Sequence, residues 1–252
     1  MVGKVLLGCL AVVAGLPLAA QAPQDQGGRI NLLFVVNAKP GMAKQFEDGL
    51  KRHTAWHARQ QDPRTITISQ VIFGAGLGTY RVVYPNLRWE DMDAAAPLNA
   101  GDQADIALNL TPYAEPAESR ILFRQDTLSR IAATEPGKAM NAVTWVYLNQ
   151  GKAPEYFDFL LKLKQAHDKA NSPYKYAVLS QITGADSPLY VIVRPLDKFV
   201  ENTPVPNRQV LVAAYGELEA DRLLNVPDFA VRRTVSFVTA LRNDLSYTPA
   251  RR

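Results

Sequence analysis

The segment His53-Thr-Ala-Trp-His57 sets two imidazoles four residues apart. On a helix that spacing puts both on one face, where two ring nitrogens could hold a metal ion. A third ligand would have to come from elsewhere, with Glu47 and Asp48 the nearest carboxylates, and no Glu follows the first His as in zinc proteases. Two ligands without a third seldom make a site. The expectation is therefore a solvated helix edge with Trp56 packed inward, and no metal. Gln70 and Gln181 each follow a Ser on a strand-like stretch. Gln70 shares a face with Ile66 and Ile68, so its amide must find partners, either in a polar pocket or on nearby backbone. Trp145, Tyr80 and Tyr190, with Phe34 and Tyr147, lie on apolar strand-like runs. Such aromatics fill a sheet interior or line a cavity for a small apolar or amphipathic ligand. The candidate ligand-binding residues are Gln70, Gln181, Trp145, Tyr80, Tyr190 and His57, and no residue is assigned a catalytic role.

Other chemistries are excluded. There is no G-x-S-x-G elbow. Gly74-Ala-Gly76-Leu-Gly78 precedes a strand rather than a helix, so it is not a phosphate-binding fingerprint. Lys and Arg (28) barely exceed Asp and Glu (24) and do not cluster, so nucleic acid is not an expected partner. Hydrophobic residues at 47% and charged residues at 21% are ordinary for a folded chain and exclude a disordered or collagen-like one. Residues 1–22 (MVGKVLLGCLAVVAGLPLAAQA) carry Lys4, an uncharged run from Val5 to Ala20, and the small-x-small motif Ala20-Gln21-Ala22. They read as a secretory signal peptide, too short in its apolar run to span a membrane. Cleavage near Ala20–Ala22 would send the mature chain to the periplasm or beyond, with no membrane span. Cys9, the single cysteine, would leave with the signal, so disulfides and thiolate ligands are excluded from the mature chain.

The elements that would carry these residues occur twice. Sliding the chain against itself lays Phe34-Val35 on Trp145-Val146, Phe46 on Phe157, Leu50-Lys51 on Leu161-Lys162 and Ser69-Gln70 on Ser180-Gln181. After one residue is dropped in the turn, Tyr80 meets Tyr190, Tyr84-Pro85 meets Arg194-Pro195 and Trp89 meets Phe199. Each copy reads strand, helix, strand, strand, helix, strand. In the first, strands are expected at Ile30–Asn37, Thr65–Phe73, Thr79–Tyr84 and Ser119–Phe123, with helices from Met42 to about Gln61 and from Trp89 to about Ala96. In the second they fall at Asn141–Leu148, Tyr174–Thr183, Leu189–Val193 and Ser236–Leu241, with a helix from Ala153 to about Ala170 and helical pieces at Leu218–Leu224 and Phe229–Arg233. Residues 97–118 mix Gly101, Asn109, Pro112 and Pro116 with weak helical content. The units run 29–131 and 138–247.

A βαββαβ unit makes a four-stranded sheet with both helices on one face, and its open face needs a cover. Two such sheets face to face make a barrel with helices outside. The tandem pattern, the glycine turn and the aromatic after the third strand (Trp89, Phe199) resemble the dimeric α+β barrel superfamily. That superfamily holds antibiotic-biosynthesis-type monooxygenases, NIPSNAP-like proteins and chlorite-dismutase-like haem proteins, and the pattern is most similar to exported tandem-repeat proteins of soil bacteria. The fold expected is thus α+β, two ferredoxin-like repeats closed into one intramolecular barrel. Three functions are expected, the first from the lack of a catalytic motif and the other two from the resemblance. The leading one is a non-catalytic small-ligand-binding or structural module without a cofactor. The second is a cofactor-independent monooxygenase or isomerase using the barrel cavity, for which Asn37, Trp56 and Arg81 are the residue types at hand. The third is a haem protein through His167, since haem-binding relatives take their iron ligand from the C-terminal half.

Overall fold

The computed structural model describes residues 29–250 apart from 136 and 185–186. The segment read as a signal peptide, Cys9 and the terminal Arg251-Arg252 pair lie outside the described residues.

The first half of the chain contributes β1 (Ile30–Ala38), α1 (Ala43–Arg59), β2 (Thr67–Gly74), β3 (Tyr80–Leu87), α2 (Trp89–Ala95), α3 (Asn99–Asn109) and β4 (Ala114–Arg124). The second contributes β5 (Met140–Leu148), α4 (Ala153–Lys169), β6 (Ala177–Thr183), β7 (Leu189–Leu196), α5 (Asn207–Tyr215), α6 (Glu217–Leu224), α7 (Val226–Ala230) and β8 (Val231–Leu241). The strands close into one eight-stranded barrel in the order β1-β3-β2-β8-β5-β7-β6-β4. All neighbours are antiparallel. Within each half the order around the barrel is fourth, first, third, second strand. The seams between halves are β2 on β8, from Ser69 opposite Leu241 to Gly74 opposite Phe237, and β4 on β6, from Ile121 opposite Thr183 to Arg124 opposite Leu179. Every strand is thereby paired on both sides, which removes the open edges that invite aggregation. The β2–β3 turn needs its glycines, because Gly74, Gly76 and Gly78 all take positive φ (87°, 76° and 85°).

The period of two along each strand divides the apolar residues into three cores. Leu33, Val35, Val71, Leu122, Trp145, Leu179, Val191 and Phe237 point into the barrel. Ile30, Phe46, Leu50, Ile66, Ile68, Tyr80 and Tyr84 lie between the outer sheet face and the helices of the first half. Leu148, Tyr156, Leu160, Leu163, Val178, Tyr190, Leu211 and Leu223 do the same in the second half. The shared interior expected of the aromatics is therefore split. Trp145 and Tyr147 point in, while Tyr80 and Tyr190 sit one residue out of phase and face the helices.

Three segments differ from the sequence reading. Residues 97–118 hold a full helix, α3, followed directly by a long β4. Helix α5 forms where no helix was expected. Residues 231–233, expected to be helical, open strand β8 instead. There Val231 pairs with Leu148 and Arg233 with Tyr147, and these ladder hydrogen bonds decide the conformation against local preference.

Candidate metal-binding site

Helix α1 lies across the outer sheet face with α3 beside it. The approach is close: a Cβ at Gly49 would collide with the carbonyl oxygen of Asn109, and one at Gly101 would press on the Trp56 ring at 3.0 Å. Bare backbone at these two points lets α3 bring its acidic face, Asp102 and Asp105, against the histidine face of α1. One polar link ties the two helices, Arg52 Nε donating to Asn109 Oδ1 (2.7 Å), and within α3 Asn109 Nδ2 donates in turn to Asp105 Oδ1 (3.0 Å).

At this crossing three donor atoms converge. His53 Nε2 and His57 Nε2 are 3.2 Å apart. Asp102 Oδ1 lies 3.5 Å from the first and 3.4 Å from the second. Bonds of about 2.0–2.1 Å in a tetrahedral set hold donors about 3.3–3.4 Å apart, which is the spacing of one face of such a set. The outer nitrogens are anchored as well. His53 Nδ1 lies 2.8 Å from Asp105 Oδ2, and His57 Nδ1 lies 2.8 Å from Asp62 Oδ2. Ionised carboxylates only accept, so each Nδ1 carries the ring hydrogen in the neutral imidazole and each Nε2 presents its lone pair inward. Carboxylate behind histidine is the arrangement that orients imidazole ligands at metal centres. Asp102 Oδ1 is buried and has no hydrogen-bond partner among the described residues. With both imidazoles neutral in that tautomer, three acceptors face inward with no hydrogen among them, an arrangement suited to a cation, and His53, His57 and Asp102 are the only such metal-capable group among the described residues.

The surrounding charges are arranged in layers. Asp62, fully buried, accepts from His57, from the Arg64 backbone N–H (2.9 Å) and from the Arg64 guanidinium through Nε and Nη2 (2.9 and 2.6 Å). Burial opposes its charge, but these donors outweigh burial and hold its carboxyl well below the usual range. Burial is also the largest effect on both histidines. It keeps the His53 pKa below the ordinary value, whereas at His57 the Asp102 and Asp62 carboxylates together overcome it and raise the pKa. The second half reaches in through Tyr247, whose hydroxyl donates to the Asp62 carbonyl (2.8 Å) and whose ring stacks on His57 at 6.3 Å.

His53 and Asp102 also line a cavity of about 700 Å³ between α1, α3 and the sheet. Its walls are mainly apolar, with Phe34, Val36, Ile66, Ile68, Val82 and Ile106 among them, and Arg64, Tyr84 and Gln103 add polar groups. Burial, with Asp102 nearby, keeps the Tyr84 phenol protonated far above its ordinary pKa. In the second half Tyr156, Phe159, Leu160 and Tyr190 pack together in the layer between sheet and helices.

The other sequence candidates are dispersed. Of the carboxylates closest to the histidines in sequence, Asp48 pairs with Lys44, and Glu47 accepts from Arg242 (2.5 and 2.9 Å) and from the Tyr80 hydroxyl (2.7 Å). The third donor comes instead from α3, in the stretch with the weakest sequence pattern. Gln70 points out of the barrel, its amide donating to the Gly78 carbonyl (3.3 Å) and accepting from Arg242 (3.5 Å). Gln181 accepts from Arg120 (2.8 Å), so the two glutamines share no pocket. Tyr190 packs on Tyr156 at 5.5 Å. Trp145 alone of that group lines the barrel cavity, and His57 alone joins the donor cluster. Asn37, Trp56 and Arg81 do not come together: Asn37 accepts from Thr79 (2.9 Å), Trp56 lies beside His57, and Arg81 is inside the barrel.

No family model and no curated protein matches the chain. Solved structures do match its fold. An anthrone oxidase-like protein superposes with a TM-score of 0.54 at 8% identity, covering 88% of this chain and 94% of its own. A provisionally assigned monooxygenase from Lactobacillus acidophilus gives 0.50 at 8% identity, covering 89% and 98%. A mutant chlorite dismutase from Candidatus Nitrospira defluvii gives 0.50 at 9% identity, covering 85% and 92%. The architecture is that of the dimeric α+β barrels, closed here within one polypeptide. These neighbours are oxidase, monooxygenase and dismutase proteins, and the leading expectation of a non-catalytic module is corrected accordingly. The expectation of no cofactor is corrected too. A chlorite dismutase shares the fold, and the three converging acceptors call for a cation.

Haem, implied by the chlorite-dismutase resemblance, does not fit the histidines present. His167 is fully buried, with Nδ1 on Ser172 Oγ (2.9 Å) and Nε2 on Asn207 Oδ1 (3.1 Å), so neither nitrogen is free for iron. His53 Nε2 has two further metal-capable atoms within 3.5 Å, a crowding that suits a single ion rather than a macrocycle. No helix among the described residues is long and apolar enough to cross a membrane.

Proposed function

We propose that this chain is a metal-dependent enzyme. His53, His57 and Asp102 hold one divalent ion, and a small, largely apolar substrate occupies the cavity beside it. The single observation that carries the reading is the triangle of Nε2, Nε2 and Oδ1 with edges of 3.2–3.5 Å, each imidazole backed by its own carboxylate. Three protein ligands leave at least one position for water or a substrate oxygen, as at catalytic rather than structural sites. The ion would polarise that oxygen as a Lewis acid and ease deprotonation of bound water. The tetrahedral spacing favours zinc. The same donor types also form the two-histidine, one-carboxylate set of non-haem iron enzymes, and the monooxygenase and oxidase neighbours make iron the competitor to test. Tyr84, kept protonated in the cavity wall, supplies a hydrogen-bond donor for the substrate.

The same proposal takes the halves, 29–131 and 138–247, as two ferredoxin-like copies of one unit. Their matching strand orders support this. The narrower likeness to NIPSNAP-like proteins and export to the periplasm or beyond rest on the sequence alone.

The test is metal analysis of the purified chain by mass spectrometry, with titration of the chelator-treated protein by Zn²⁺, Fe²⁺ and haemin. One ion per chain is expected, lost in both His57→Ala and Asp102→Ala. A wild-type chain that binds neither ion would end the proposal, and so would one that takes up haemin with a Soret band instead. Oxygen consumption by the iron-loaded chain, absent from the zinc-loaded one, would decide for iron.

A further inference from the structure

We propose that the barrel interior is a second ligand site, separate from the metal, which takes a small monocarboxylate with an apolar body and places its head group on Arg81. On β3 the alternation sends Tyr80, Val82 and Tyr84 outward and Arg81 and Val83 inward, so Arg81 and the His53–His57–Asp102 cluster stand on opposite faces of one sheet. Arg81 is 9% exposed, and its guanidinium carbon lies 4.9 Å from the Trp145 ring centroid and 4.6 Å from that of Phe237. Aromatic faces attract the cation but leave its in-plane N–H groups wanting acceptors. Two of these, Nε and Nη1, are buried and find no hydrogen-bond partner.

Nearby charge does not balance this cation. Glu118 Oε1 is 3.9 Å from Arg81 Nη1, but the same carboxylate already binds Arg120 Nη2 at 2.5 Å. Arg120, itself buried, stacks at 4.7 Å over the same Trp145 ring, and its Nε is likewise without a partner. Two guanidiniums thus share one carboxylate. Burial, the largest influence on Arg81, pulls its pKa down, yet a guanidinium stays protonated throughout the physiological range. A charge buried with open donors is matched by a planar carboxylate, which guanidinium N–H pairs grip in two-pronged fashion. Glu118 beside the site disfavours a dianion such as phosphate.

The cavity that Arg81 lines has about 360 Å³, in the range of small-ligand pockets. Leu33, Leu122, Leu179 and Val191 give it an apolar stretch of wall that fits the body of such a ligand, beside polar groups such as Asn31, Ser69 and Asn141. It also borders Ile131–Ala133 and Gly137, so the link between the halves lies along one side of it.

Calorimetric titration of the full chain with octanoate, octan-1-ol and inorganic phosphate tests this, on protein as purified and after chelator treatment. One octanoate per chain is expected, unchanged by the chelator. Octan-1-ol should bind at least about tenfold more weakly, because it lacks the charged hydrogen bonds. Phosphate should not compete. Arg81→Gln should reduce octanoate to the level of the alcohol. Arg124→Gln should leave it intact, since Arg124, also on the cavity wall, is already held by Asp126 (2.6 Å) and the Ile131 carbonyl. Equal affinity for octanoate and octan-1-ol in the folded wild type would overturn the proposal whatever the variants do. So would no octanoate binding, binding that vanishes with the metal, or loss on Arg124→Gln in place of Arg81→Gln. The metal proposal is tested on separate atoms, so either can fall alone.

Discussion

Asp62 Oδ2 lies 2.8 Å from His57 Nδ1, and both side chains are wholly removed from solvent. The carboxylate also neutralises Arg64, so one buried anion both orients a candidate ligand and compensates a buried cation. Asp62→Ala would strand Arg64 without its counter-charge. Breaking one partner of a buried pair costs about 3–5 kcal/mol. Urea unfolding of the metal-free chain should show a loss of that order, and a loss under about 1 kcal/mol would mean that the pair is wetter than its burial implies.

Asp105 separates orientation from stability, because it holds His53 without neutralising a buried arginine. Asp105→Asn should leave the fold intact and weaken metal binding by about 10–100-fold, the usual effect of removing an outer partner of a ligand histidine. Competition with a chromogenic chelator measures it. Unchanged affinity would mean that the imidazole needs no such guide.

An ion bound only by the folded state stabilises it in proportion to the logarithm of its free concentration. At a hundred times the dissociation constant the gain is about 2.7 kcal/mol. For a chain of this size that raises the melting temperature by roughly 5–10 °C. Asp102→Ala should melt at one temperature with or without zinc. A zinc-induced shift that persists in that variant would place the ion elsewhere.

Gly49→Ala tests the helix crossing. The added methyl group meets the backbone of Asn109, which cannot swing aside like a side-chain tip, so α3 must move and carry Asp102 with it. Overpacking of this kind costs about 1–3 kcal/mol. Metal affinity should fall alongside stability although no ligand has changed. Full retention of affinity would show that α3 yields without shifting its acidic face.

Glu47 ties α1 to Arg242 beyond β8. The hydrogen bond from Arg242 is the main cause of its lowered pKa, partly opposed by burial. A carboxyl whose folded pKa is depressed contributes stability that is complete above its ordinary value, 4.5 here, and fades as pH falls through the folded value. Glu47→Gln should therefore lower stability near neutrality and flatten the decline below about pH 4.5. The readout is denaturant midpoint against pH, and parallel curves for the two proteins would refute the role.

Much of this was legible in the sequence. The first strands, Ile30–Ala38 and Met140–Leu148, and the helices α1 and α4 fall within a few residues of their expected limits, because long apolar runs and helical spacing are strong local signals. The pairing of His53 with His57 was equally visible. Its completion was not. Asp102 and Asp105 sit three apart on α3, a helix opened by Asn99-Ala-Gly101 without a strong apolar stripe. Their role depends on two glycines that allow helices distant in sequence to touch. The matched glutamines misled for the opposite reason. Equal positions in sequence took unequal surroundings once Arg242 and Arg120 claimed them separately.

Both seams of the barrel join one half of the chain to the other. Two identical subunits forming such a ring would be bound by a twofold axis, and any hollow or ligand set in one would recur in its mate. A single polypeptide is free of that constraint. One flank can keep a hollow with histidines at its rim while the opposite flank gathers tyrosine, phenylalanine and leucine in the corresponding layer. The loading of this molecule should therefore be odd, one ion to each complete ring.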